Sequence, residues 1–389
     1  MFYIHASYSE LPKNNLYKGD FVHIAIDARI INSSTGRYVE RLLTNLEKID
    51  TKNTYSVLVR AKDKDYWKPR NKNFKVIIAD FPNYSFPEQI GFYFLLRKIK
   101  PDLVHFCMPQ QPLLYRGKRV TTVHDLTLVR FENIDMNPLV YKTRKFIFTK
   151  LIRNVIERSD AIFTPTEYIR QDVLDFTSQE YAPKVHKTLE AWDAVADKLE
   201  PIAELKNKKF IFFVGNAFPY KNVQLIVDSF VELYEKEPSL HLALAGKKDY
   251  FYEQIRQYAK EKGVLDRVHI LGFISEGEKR WMFRNGVAYI IASLSEGFHI
   301  PGLEAMAEDC PVLSSNATCL PEVYGDAALF FDPHKSTELA HLIEKVMHDS
   351  KLRQKMARLG KKRLGDFSWE RMARETHAIY LQVVNKKPR

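Results

Sequence analysis

Short apolar runs that alternate with amphipathic helical stretches, in two successive blocks, constrain this chain more than any other feature. In the first block Val22–Ile26 (VHIAI), YSVLVRA, FKVIIAD, DLVHFC, VTTVHD and AIFTPT carry a buried-strand pattern. Between them fall YVERLLTNLEKI, YFLLRKIK and a long basic stretch near Val140–Arg158, read as helices. Strands that are apolar throughout need cover on both faces, which parallel strands with crossover helices supply. The pattern restarts with KFIFFVGN and continues through NVQLIVDSFVELYEKE, LHLALAG, YEQIRQYAKEKG, VHILGF, VAYIIAS and a helix from about Gly302. Two such blocks predict an α/β chain of two Rossmann-like, doubly wound lobes with a cleft between them.

Length agrees, since 389 residues exceed one ordinary core. The pattern divides the chain into an extension at 1–20, a first lobe at 21–193, a charged linker at 194–209, a second lobe at 210–364 and a last amphipathic helix within 365–389. A hydrophobic fraction of 45% and an aromatic fraction of 13% are enough to fill both cores. Cys107, Cys310 and Cys319 form no CxxC pair and have no His at zinc-ligand spacing, so neither a structural metal nor a disulfide framework is expected. The first twenty residues lack an apolar core like that of a signal peptide, and no apolar run approaches the ~18 residues of a membrane span. The expected compartment is the cytoplasm. A net charge of +11 points to an anionic partner without choosing among nucleic acid, acidic lipid and a phosphorylated small molecule.

In open α/β sheets ligands sit at the carboxyl ends of the strands, so the strand-to-helix turns are the candidate sites. The turn after VAYIIAS is SEGFHIPGLEAMA, Ser295–Ala307. Pro301 suits the first turn of a helix, which leaves backbone N–H groups near Ile300–Leu303 facing an anion, with help from the helix dipole. Glu296 and Glu304 flank that position, and ionised carboxylates accept hydrogen bonds as vicinal hydroxyls require. Spacing alone leaves open an exposed loop followed by a helix with a favourable acidic residue.

This string resembles the E-x7-E motif of the GT4 family of retaining glycosyltransferases, and its neighbours fall in that family's order. FVGNAFPYKN, Phe213–Asn222, resembles the VG-x3-P-x-KN turn; Leu271-Gly272-Phe273 resembles the LGF turn; Ser315-Asn316, Leu320–Val323 and Gly325–Ala328 resemble the segment beyond the acidic helix. The resemblance runs from about Val22 to near the end of the chain. It implies the GT-B fold, with the last helix returning to the first lobe, a nucleotide-sugar donor, retention of configuration, and no cofactor or required metal. It implies that Glu304 binds the ribose hydroxyls, Glu296 a hydroxyl of the donor sugar and Lys221 the diphosphate. Gly215, Asn216, Gly272, Phe273, Gly297, Phe298, His299, Ile300, Pro301, Gly302 and Leu303 complete the implied donor site. In the first lobe, Val123-His124-Asp125 resembles the family's HD turn facing the donor sugar, and Gly36 and Arg37 resemble its loop near the acceptor and phosphates.

The chain departs from the pattern at three places. Asn216 is uncharged where many members carry Arg, His299 stands where Gly is common, and Gly302 stands where Pro is common. The mechanism implied is front-face attack by the acceptor hydroxyl, with Glu296, Lys221 and His124 around the reacting centre. Glu296→Gln and Lys221→Ala are expected to lower turnover and leave the fold intact. GNAFPYKN and HDLTLVRF most resemble bacterial mannosyltransferases of surface polysaccharides, which implies GDP-mannose and a lipid-linked or oligosaccharide acceptor. UDP and dTDP sugars stay open, because a base pocket made largely of backbone is not written in side chains.

The basic helix interleaves Lys142, Arg144, Lys145, Lys150 and Arg153 with Phe146, Phe148, Leu151 and Ile152. That mixture suits an anionic membrane surface, at the inner face of the cell membrane, or equally an ordinary surface helix. Nucleic acid is not an expected partner, because the lysines are scattered over both lobes and form no single basic face. A non-catalytic scaffold that binds a nucleotide sugar is the remaining rival. The joint presence of Glu296, Glu304, Lys221 and His124 speaks against it.

Overall fold

The computed structural model describes residues 21–130, 138–194 and 198–386, with the side chains of 128 and 138–144 excepted. The extension at 1–20 and part of the linker lie outside the described residues.

Seven parallel strands form the first sheet: β1 (His23–Asp27), β2 (Thr54–Val59), β3 (Phe74–Ile78), β4 (Leu103–Phe106), β5 (Arg119–Thr122), β6 (Ala161–Thr164) and β7 (Val185–Lys187). Their order is β3-β2-β1-β4-β5-β6-β7. Six more form the second: β8 (Lys209–Val214), β9 (Leu240–Ala245), β10 (Val268–Gly272), β11 (Ala288–Ile291), β12 (Val312–Ser315) and β13 (Ala328–Phe331), ordered β10-β9-β8-β11-β12-β13. In each sheet the order reverses beside the first strand, the doubly wound arrangement that the alternating pattern predicts. Strand β7 is a finding the pattern did not give: VHK has one apolar residue at a sheet edge. Strands β12 and β13, four residues each, are likewise not among the runs that the pattern picked out.

Local chemistry sets the helix starts. Thr166 accepts from the Ile169 amide to cap helix Glu167–Phe176, and Ser275 with Glu278 forms a capping box for Glu276–Asn285. The helix expected from about Gly302 begins two residues earlier, at Ile300, with Pro301 in its first turn.

The last helix, Trp369–Asn385, returns to the first lobe and packs on helix Gly36–Ile49. It buries Met372, Ala373, Thr376, Ile379, Tyr380 and Val383, one face at helical spacing. His377 Nε2 meets Asp50 Oδ2 at 2.8 Å, and Lys118 Nζ donates to the carbonyls of Val383 and Lys386 at the helix end, where a cation is favoured. Among the described residues no helix is long and apolar enough to cross a membrane.

Candidate active site

Of the turns singled out by sequence, those after β5, β8 and β11 meet between the two lobes. After β8 the chain makes a single turn of 3₁₀ helix, Pro219–Lys221, closed by Asn222 in the left-handed region. The Leu294 amide donates to the Tyr220 carbonyl at 2.7 Å, which joins this turn to the one after β11. Lys221 Nζ consequently donates to Glu296 Oε1 at 2.7 Å, across 75 residues of sequence. Ser293 Oγ donates to the same oxygen at 2.6 Å.

Both charges are nearly buried, with side-chain exposures of 14% for Lys221 and 9% for Glu296. Burial works against each charge. For Glu296 the charge of Lys221, then that of His299, and the hydrogen bonds from Lys221 and Ser293 outweigh burial and hold the carboxyl below its ordinary value. For Lys221 burial is outweighed chiefly by Glu296, and the ammonium is held above its ordinary value. His299 itself is pushed down to about 4 by burial, so at neutral pH Lys221 and Ser293 are what keep Glu296 ionised.

Glu304 lies one helical turn on, its side chain 1% exposed. Its Oε1 accepts from Arg37 of the opposite lobe, and Lys279 Nζ stands 3.1 Å from Oε2. Lys279, from helix Glu276–Asn285, was not among the residues singled out by sequence. A cleft of about 590 Å³ opens at this end, walled by Ser33, Ser34, Arg37, Glu276, Lys279 and Glu304 among others. Lys221, Glu296 and His124 do not line that cleft; they sit at the seam where the lobes touch.

The seam is close. A Cβ built on Gly297 would lie 2.1 Å from the His124 carbonyl oxygen, so only glycine lets the two turns approach this far. Thr127 Oγ1 and Ser295 Oγ are 3.2 Å apart across it, and Thr166 Oγ1 donates to the Gly297 carbonyl at 3.3 Å. His124 presents this carbonyl to the second lobe, while its ring is occupied within the first, Nδ1 against Glu190 Oε1 at 3.1 Å and Nε2 against the Cys107 carbonyl at 3.0 Å. Gly36 meets a similar limit, since its Cβ would fall 1.9 Å from the Ile31 carbonyl oxygen.

The remaining sequence candidates divide by which part of the residue faces the cleft. Phe298 and Leu303 send their side chains into the core, Phe298 edge-on to Phe367, and only their backbones belong to the turn. Ile300 and Pro301 line the cleft. The Asn216 side chain accepts from the Phe218 amide within its own turn. Phe273 is 83% exposed beyond Gly272, which takes a positive φ of 84°.

The departures at His299 and Gly302 have one structural cause. His299 adopts φ 73°, the left-handed conformation that explains why glycine suits this position. The Tyr324 hydroxyl donates to the His299 carbonyl at 2.7 Å and lies 2.9 Å from His299 Nδ1. A Cβ at 302 would come within 2.3 Å of that hydroxyl oxygen. Gly302 thus makes the space from which Tyr324 holds His299.

Two doubly wound lobes facing across a cleft, with paired carboxylates and a lysine at the turns of the second, define a GT-B glycosyltransferase. Family profiles agree: "Glycosyltransferase Family 4" matches residues 35–181 and "Glycosyl transferases group 1" matches residues 196–363. The chain belongs to this family of glycosyltransferases. It is 27% identical over 306 residues to O-antigen chain mannosyltransferase B of Escherichia coli, covering 73% of this chain and 75% of that protein. It is 28% identical over 271 residues to the serotype-specific mannosyltransferase WbdA of Escherichia coli, covering 66% of this chain but 32% of WbdA. Among solved structures, sucrose-phosphate synthase from Thermosynechococcus elongatus superposes with a TM-score of 0.74 at 16% identity, over 93% of this chain and 99% of that one.

Proposed function

We propose that this glycosyltransferase moves mannose from GDP-mannose, with retention, to a lipid-linked or oligosaccharide acceptor in the assembly of a bacterial surface glycan. The observation that carries this reading is the Lys221–Glu296 pair beside Glu304 at the start of helix Ile300–Ala307. It sets a cation and two hydroxyl-binding carboxylates around one helix N-terminus. The mannosyl choice is supported by the relatives, which are named as mannosyltransferases.

In the proposed reaction the bond from the anomeric carbon to the diphosphate breaks, its electron pair leaving with phosphate oxygen. The acceptor hydroxyl attacks from the same face, and its proton passes to that phosphate. Lys221 stabilises the charge on the leaving group, and Glu296 exchanges part of its hold on Lys221 for a sugar hydroxyl. His124 reaches a hydroxyl by releasing Glu190 or the Cys107 carbonyl. Thermal melting of the purified protein with nucleoside diphosphates checks the donor base, because a ligand of the folded state raises Tm by mass action. GDP at about a hundred times its Kd is expected to stabilise by roughly 2.7 kcal/mol. A shift with UDP or dTDP and none with GDP would overturn the mannosyl reading.

We also propose that the enzyme works at the inner face of the cell membrane through helix Pro138–Arg158. Lys142 and Arg144 have side chains outside the described residues. Of the rest, Ile152 and Ile156 face the core, while Phe146 and Ile147 point outward at 62% and 58% exposure. Lys150 Nζ stands 4.7 Å over the Phe146 ring, so cation and apolar surface share the outer face. Flotation with vesicles containing anionic lipid is expected to recover the protein, and neutral vesicles or the Phe146→Ser, Ile147→Ser double variant should recover roughly tenfold less. Equal recovery by the double variant would remove this helix from the account.

A further inference from the structure

His299 stands beside Glu296 with its Nε2 3.8 Å from Oε1, and the hydrogen-bond pattern on the other side of the ring decides which nitrogen carries a proton. The Tyr324 hydroxyl has one hydrogen, and it goes to the His299 carbonyl at 2.7 Å. With that hydrogen on the carbonyl the same oxygen accepts toward Nδ1 at 2.9 Å, and in this arrangement, the one taken here, Nδ1 carries the ring hydrogen. Burial keeps the ring neutral above about pH 4. Nε2 is then a bare lone pair facing a carboxylate oxygen that already accepts from Lys221 and Ser293. The ionisable groups around the ring are Glu296, Lys221, Tyr289 and Tyr324, and none of them donates a hydrogen bond to Nε2.

Two acceptors 3.8 Å apart with no proton between them are a poor arrangement in the protein alone and a good one for a ligand with neighbouring hydroxyls. We infer that His299 is a specificity residue, whose Nε2 accepts from the sugar hydroxyl next to the one Glu296 holds, with Tyr324 as the positioning residue that fixes the tautomer. This rests on the reading that a nucleotide sugar lays its sugar against Glu296. It also accounts for two departures at once, since His299 supplies the acceptor and Gly302 leaves space for the tyrosine that orients it.

His299→Gly is the informative variant, because φ 73° suits glycine and the turn is kept. The measurement is kcat/KM for the accepted nucleotide sugar and for its analogues lacking one ring hydroxyl each, with wild type, His299→Gly and Tyr324→Phe. Wild type is expected to lose about 10- to 100-fold on the analogue lacking the hydroxyl read by His299, since that deletion leaves a buried acceptor unpaired. His299→Gly should use that analogue and the parent donor equally well and keep the other penalties. Tyr324→Phe should shrink the same penalty alone. If His299→Gly keeps every wild-type penalty, the inference is wrong while the donor reading stands. If wild type uses no nucleotide sugar, the donor reading fails and this inference with it.

Discussion

Lys221→Ala is expected to lower the transfer rate by about 10²–10³-fold, the loss typical when one group that stabilises developing transition-state charge is removed. The sequence alone suggested that such a variant leaves the fold intact. The structure changes that expectation, because Lys221 is the main partner of a carboxylate 9% exposed, and removing it strands Glu296. Breaking a buried pair from one side typically costs about 3–5 kcal/mol. The double variant Lys221→Ala, Glu296→Gln removes the stranded charge, so it should recover most of the lost Tm and none of the lost turnover. Recovery of turnover along with Tm would mean that Lys221 acts only through stability. The sign of the pH dependence follows from the two shifts. Glu296 titrates below its ordinary value of 4.5, so its share of the stability is complete above that value and is lost as pH falls through the lowered pKa. Lys221 titrates above 10.5, so its share is complete below that value and is lost as pH rises through the raised pKa. The pair is expected to give a stability plateau between these limits that the double variant lacks.

Arg29→Ala is expected to destabilise the first lobe by about 3–5 kcal/mol, on the order of 10 °C in Tm for a lobe of this size. Arg29 is buried at the carboxyl end of β1 and forks onto Asp27, Nε to Oδ1 at 2.8 Å and Nη2 to Oδ2 at 2.7 Å. Nη2 also lies 2.8 Å from Glu88 Oε1, Nη1 donates to the Phe81 carbonyl at 3.1 Å, and the guanidinium stacks 4.2 Å over Phe92. Burial pushes the Glu88 carboxyl up, and Arg29 offsets only part of this. Without Arg29 two carboxylates would share a dry site, which is why the loss exceeds that of an exposed pair. Arg29→Met combined with Asp27→Asn and Glu88→Gln should recover much of the stability. A single Arg29→Ala variant melting within a degree or two of wild type would show that the triad contributes little.

How much of this was legible depends on the range of the interaction. Most strands of both lobes could be read because a parallel strand buried on both faces must be apolar almost throughout; β7, with one apolar residue in three, could not, and β12 and β13 were not picked out. The helix start of the acidic turn could be read because Pro301 is local chemistry, whereas its reading as a donor site came from resemblance to the E-x7-E motif and the order of its neighbours. Asp27 and Arg29 stand at the end of the first strand, and nothing near them in sequence announces Glu88.

The sequence by itself determined the two-lobed α/β architecture and the order of the turns at its cleft, because periodicity, capping and turn residues act over a few positions. Only the tertiary structure decided which charges meet: Lys221 with Glu296 across 75 residues, and Arg37 with Glu304 across 267. It alone decided that Gly297 must be glycine against the His124 carbonyl, and that His299 and Gly302 answer to Tyr324. Those facts depend on distances between chain segments that packing brings together, and no local pattern of residues encodes a distance of that kind.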